Sequence, residues 1–139
     1  MELVAYEKLK PLQGVVIPIF YGQAEYRGVR SIVLSDIGGA CVATPEGAIL
    51  PAEDMHRLFD QALGALAELG VTHDDVKLDN FHLVEKGDGE KAIMVLDLER
   101  INHVPKERSR AEWVVKRLMR YYRGHLECLE DDGLLLLKM

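Results

Sequence analysis

Met55, Leu58, Phe59, Ala62, Leu63, Leu66 and Leu69 recur every three or four residues, a spacing that only an α-helix turns into one continuous apolar face. Pro51 stands near the start of this segment, where a missing N–H is harmless, and Gly70 closes it. A helix with so broad an apolar stripe must lay it against other elements, so the rest of the chain has to supply a core around it. The chain has 139 residues, 48% of them hydrophobic and 29% charged, which is one domain of ordinary size with enough apolar surface to bury. Its longest apolar runs, near residues 14–20 and 134–137, fall well short of the roughly 18 residues of a bilayer span, so no membrane association is expected. Met-Glu-Leu-Val opens the chain without a basic and then apolar leader, which predicts a cytoplasmic or nuclear protein. Cys41 and Cys128 lie far apart and outside any Cys-x-x-Cys, and are expected as reduced thiols.

The flanking elements follow from the same periodicities. Leu3, Tyr6 and Leu9 predict a short helix that Pro11 ends. Residues 15–21 read as a strand with Pro18 at an edge, and residues 30–37 as a second strand stopping at Gly38-Gly39, the two joined in a hairpin through residues 22–28. Residues 81–85 and 91–97 predict another hairpin around Lys86-Gly87-Asp88-Gly89-Glu90. A last helix begins at Ser109, which has capping-box spacing to Glu112, and its buried stripe is Val115, Leu118, Met119, Tyr122, Leu126 and Leu129. Short strands interspersed with three helices predict an α+β fold: one domain over residues 1–129 and a C-terminal tail over 130–139 that docks on the body or pairs with another chain.

Charge is unevenly placed. The net charge is −6, yet residues 105–124 hold seven Lys/Arg and only two Glu. An acidic body with one basic helix excludes general nucleic-acid binding. Lys116, Arg120 and Arg123 on that helix read as a solvated face or as a surface for an acidic protein partner. His56 and His125 read as surface or boundary residues on helices. The oligomeric state has no signature here.

Between the long helix and the later hairpin lies His73-Asp74-Asp75-Val76-Lys77-Leu78-Asp79-Asn80, and the hairpin's second strand ends at Asp97-Leu98-Glu99. Carboxylates and an asparagine offer the hard oxygens that Mg²⁺ takes, and a lysine offers a point charge for phosphate. The alternative is an acidic surface loop without a ligand.

Order and spacing favour the first reading. The run resembles the H-R-D-L-x-x-x-N catalytic loop of protein kinases, with His73, Asp75 and Asn80 in register and Val76 in place of leucine, while Asp97-Leu98-Glu99 resembles D-F-G after a hairpin. Leu12-Gln13-Gly14, Ile17-Pro18 and residues 71–77 are most similar to the compact protein-kinase-like domains of fungal genomes. The resemblance covers about residues 2–128 and implies a kinase-like C-lobe with helix C and two N-lobe strands, the N-lobe being incomplete. It implies ATP and Mg as cofactors. Asp75 would orient the acceptor hydroxyl and take its proton, and Lys77 would stabilise the transferred phosphoryl group. Asn80 and Asp97 would hold Mg²⁺. Glu2 takes the place of the helix C glutamate, and Leu34, Ser35, Asp36 and Ile37 that of the strand and hinge around adenine.

Several positions depart from the family. Asp74 replaces an arginine that often pairs with a phosphorylated activation loop, and Glu99 replaces the glycine of D-F-G. The stretch 100–108 holds no A-P-E. No G-x-G-x-x-G loop or V-A-I-K lysine occurs before Glu2, which predicts weak phosphoryl transfer or none; a gene extending upstream of Met1 would place those elements there. The alternative function is a pseudokinase-type module that binds a protein partner without catalysis.

Overall fold

A computed structural model describes residues 2–98, 101–103 and 109–137, and the side chains of Glu2, Asn102 and His103 lie outside the description. In chain order the elements are α1 (Glu2–Lys8), β1 (Phe20–Tyr26), β2 (Val29–Leu34), β3 (Ala40–Cys41), α2 (Ala52–Glu68), β4 (Val71–His73), β5 (Phe81–Glu85), β6 (Lys91–Val95), β7 (Ile101–His103) and α3 (Ser109–Asp131). Single 3-10 turns stand at Lys10–Leu12, Pro45–Gly47 and Leu78–Asn80. The fold is α+β. Among the described residues, three helices accompany small antiparallel sheets ordered β1-β2, β3-β5-β6 and β4-β7. None of these helices is long and apolar enough to cross a membrane.

The long helix forms where the spacing places it. Pro51 precedes its first residue, Glu53 and Asp54 lie in the first turn where the helix dipole favours negative charge, and Gly70 follows with φ 71°. Met55, Leu58, Phe59, Ala62, Leu63 and Leu66 are buried. Against α2 packs α3, which buries Ala111, Val114, Val115, Leu118, Met119, Tyr122 and Leu129. The Tyr122 hydroxyl donates to the Leu50 carbonyl at 2.6 Å, tying α3 to the entry of α2, and its burial pushes the phenol up to about 12. The outer face of α3 is polar and aromatic. There the guanidiniums of Arg110 and Arg117 lie 4.9 and 5.3 Å from the centre of the half-exposed Trp113 ring. α3 runs past residue 129 to Asp131, and beyond it Leu135 packs on the core.

Three strands differ from the sequence reading. The apolar run 15–21 is not a strand over its first half: Gly14 has φ 79°, and the Leu12 carbonyl accepts from the N–H groups of Val15, Val16 and Ile17 at 3.0, 2.9 and 3.2 Å. The chain curls there, and Val16 and Ile17 plug the core while β1 starts only at Phe20. The hairpin turn is correspondingly tight, with Arg27 and Gly28 at φ 51° and 78° as a two-residue turn of this hand requires. β2 ends at Leu34 and β6 at Val95, short of the ends read at 37 and 97.

β3 is held by close backbone approach. A Cβ on Gly39 would collide with the Leu83 carbonyl oxygen, and one on Gly47 with that of Cys41. The Thr44 hydroxyl donates to the Cys41 carbonyl at 2.7 Å and accepts from the Gly47 N–H at 3.3 Å, which fixes the turn leading to α2.

Candidate functional site

Gly70 turns the chain out of α2 into β4, whose three residues Val71, Thr72 and His73 are all buried. The His73 ring is the centre of the site. Its Nε2 lies 2.9 Å from the Leu96 carbonyl oxygen, which can only accept, so Nε2 carries the proton; Nδ1 then accepts from the Asp75 N–H at 3.2 Å. One imidazole therefore joins the start of the loop 73–80 to the end of β6. The ring also packs on Phe81, which meets Phe59 of α2 edge-on at 5.3 Å.

Asn80 closes the loop from its other end. Its buried side-chain amide donates to the Asp75 carbonyl at 2.9 Å, and its own carbonyl accepts from the Leu96 N–H at 2.8 Å. Leu96 is thus held through both backbone groups, one by His73 and one by Asn80. Asp97 follows it in the left-handed region at φ 57°, uncommon for a non-glycine residue, and Leu98 beyond is fully buried. An exposed aspartate between two anchored neighbours is held in a strained backbone, the kind of position that collects at ligand sites. Lys77 Nζ lies 3.8 Å from Asp75 Oδ1, with the lysine 68% and the aspartate 16% exposed. So open a pair adds little stability and leaves the ammonium accessible.

Asp75, Lys77, Asn80 and Asp97 thus gather at one end of the β5-β6 hairpin. Beside the same hairpin, reaching from Glu85 and Lys86 at its turn to Met94, which pairs with His82 near the Asp97 end, lies an open cleft of about 410 Å³ walled also by Tyr21, Ser35, Asp36, Ile37 and Val84. Leu34 is not in that wall; it packs on the core. Two of the wall residues already have structural partners. The Ser35 hydroxyl accepts from the Ile19 N–H at 2.9 Å, and Asp36 Oδ1 accepts from the Gly38 N–H at 2.9 Å.

Two further features carry no local sequence signal. Asp74 pairs with Arg110 of α3, Oδ1 to Nη2 at 3.6 Å, so this loop residue, read as a departure from the kinase pattern, links the loop to the last helix. The Thr72 hydroxyl is buried without a hydrogen-bond partner. Glu2 lies in α1 with its side chain outside the description, and Glu99 and the stretch 104–108 also lie outside it.

Among the described residues no group of three or more His, Cys, Asp or Glu is assembled for a metal. Asn80 and Asp97 offer two oxygen donors at one end of the hairpin. That fits Mg²⁺, which commonly keeps several waters and takes one or two protein oxygens plus substrate phosphates. No protein-family model matches the chain. No curated protein matches it either.

Proposed function

We propose that the chain is a protein-kinase-like core, a C-lobe with α1 in the position of helix C and β1-β2 as two N-lobe strands, which carries the motifs for phosphoryl transfer from Mg-ATP to a hydroxyl acceptor and transfers weakly at most. The observation that carries this reading is the His73 bridge. It links the Asp75 end of the loop to the carbonyl immediately before Asp97, so two motifs read separately in the sequence form one hydrogen-bonded unit.

In this reading Asp75 orients the acceptor hydroxyl and accepts its proton, and the exposed Lys77 beside it neutralises charge on the transferred group. Asn80 and Asp97 would hold Mg²⁺, which supplies neutralisation of phosphate charge. Ser35, Asp36 and Ile37 would contact the base through the cleft, which runs along the β5-β6 hairpin toward the Asp97 end. A second reading, a pseudokinase-type protein-binding module without catalysis, draws support from the exposed arginine and tryptophan face of α3.

Thermal unfolding with Mg-ATP separates them. At about 100 times Kd, specific binding adds roughly 2.7 kcal/mol of stability. Asp97→Asn, which tolerates the left-handed backbone but removes the charge, abolishes that gain, and Asp75→Asn keeps it while losing transfer of labelled phosphate. No stabilisation of the wild-type chain by Mg-ATP overturns the phosphotransferase reading.

A further inference from the structure

The solvent face of α3 is divided by charge. Trp113, Arg117, Arg120, Gly124, Glu127 and Asp131 recur every three or four residues on one stripe, and all are exposed. The N-terminal half of the stripe is basic and aromatic, with Arg117 over Trp113 and its Nε donating to the Tyr121 hydroxyl at 3.1 Å. The C-terminal half is acidic. Gly124 sits between them, inside a 23-residue helix, and a Cβ there would meet nothing within 4 Å. Glycine is the least favourable helix-interior residue after proline, and nothing inside the chain requires it here. A second backbone approaching at that point would.

We infer that α3 pairs antiparallel with the α3 of a second copy, the two-fold axis passing at Gly124. The charge order of the stripe selects this occupant. Reversing the helix about Gly124 sets Arg117 of each copy against Asp131 of the other and brings Arg120 beside Glu127, so one stripe is complementary to itself. Trp113 with its flanking arginines then faces the far end of the other helix, where Leu134 and Leu136 are exposed. Residues of these types, aromatic and arginine, are the ones that dominate binding at protein interfaces. The inference is independent of the nucleotide reading.

Sedimentation equilibrium of the full chain tests it. A reversible dimer is expected at about 0.05 M salt, weakening roughly tenfold at about 0.5 M as the exposed pairs are screened. Arg117→Glu alone and Asp131→Arg alone each weaken the dimer by at least about tenfold, because each makes two like-charge contacts. An equimolar mixture of the two variants regains it, as does the chain carrying both changes, and that recovery separates a lost contact from a lost fold. A wild-type chain that stays monomeric at about 1 mM and low salt, or a dimer that persists unchanged in both single variants, overturns the inference.

Discussion

The β1-β2 hairpin and the block formed by α2, α3 and β4 to β7 are held by different means. In the block, Phe59, Phe81, Leu66, Leu98, Leu118 and Tyr122 are fully buried, and the His73 network adds polar links between loop and sheet. The hairpin is exposed along most of β1 and half of β2, including Tyr21, Tyr26 and Val29, and is secured at its base. There Phe20 stacks on Tyr6 at 5.5 Å, and the Gln13 side chain accepts from the Phe20 N–H while donating to the Tyr6 carbonyl. Two-stranded sheets are marginal by themselves in water. The contrast teaches that the cleft's upper wall, which includes Tyr21 and Ser35 to Ile37, rests on the weaker unit, whereas the Asp75 end rests on the stronger.

The sharpest way to break the contrast is Phe59→Ala. Emptying that site costs about 3–5 kcal/mol, read by denaturant unfolding, and hydrogen exchange should rise in the block and the hairpin together because the hairpin's base stands on the block's core. Tyr122→Phe tests the block by pH. The native phenol stays protonated up to about 12 against an ordinary 10, so its burial favours the folded state below pH 10, and that contribution is lost as pH rises from about 10 through about 12. At neutral pH the variant should be less stable by about 1 kcal/mol for the missing hydrogen bond to Leu50; toward pH 12 the order should reverse, since up to roughly 2.7 kcal/mol of the wild-type advantage disappears. Phe20→Ala should act locally. A loss of about 1–2 kcal/mol should speed exchange of the amides of residues 20–34 roughly tenfold, while those of α2 and α3 keep their wild-type rates.

The same contrast explains what the sequence made legible. α2 could be read to within a residue or so because one long face is buried against a single core, and such a face leaves a periodic trace. β1 left none: with both faces mostly wet, Gly22, Gln23, Ala24 and Glu25 show no apolar alternation, and the apolar run beside them belongs to a core plug instead. β4 and β7 are three residues each and pair across a gap in sequence, so neither carries a period to detect. At the candidate site, His73, Asp75, Asn80 and Asp97 stood out by residue type and order. What joins them did not, because the acceptors are backbone carbonyls of Leu96 and Asp75, which any residue supplies. The Asp74 to Arg110 pair is likewise invisible before the chain is folded.

Gly39 and Gly47 extend this to ancestry. Each faces a carbonyl oxygen so closely that no side chain can stand there without moving β3 or β5. Charged residues recur on unrelated surfaces, but a backbone crowded at two points leaves substitution no room. Any lineage descended with this fold should therefore keep glycine at both places while its loops diverge, and the pair marks kinship more stringently than the acidic loop does.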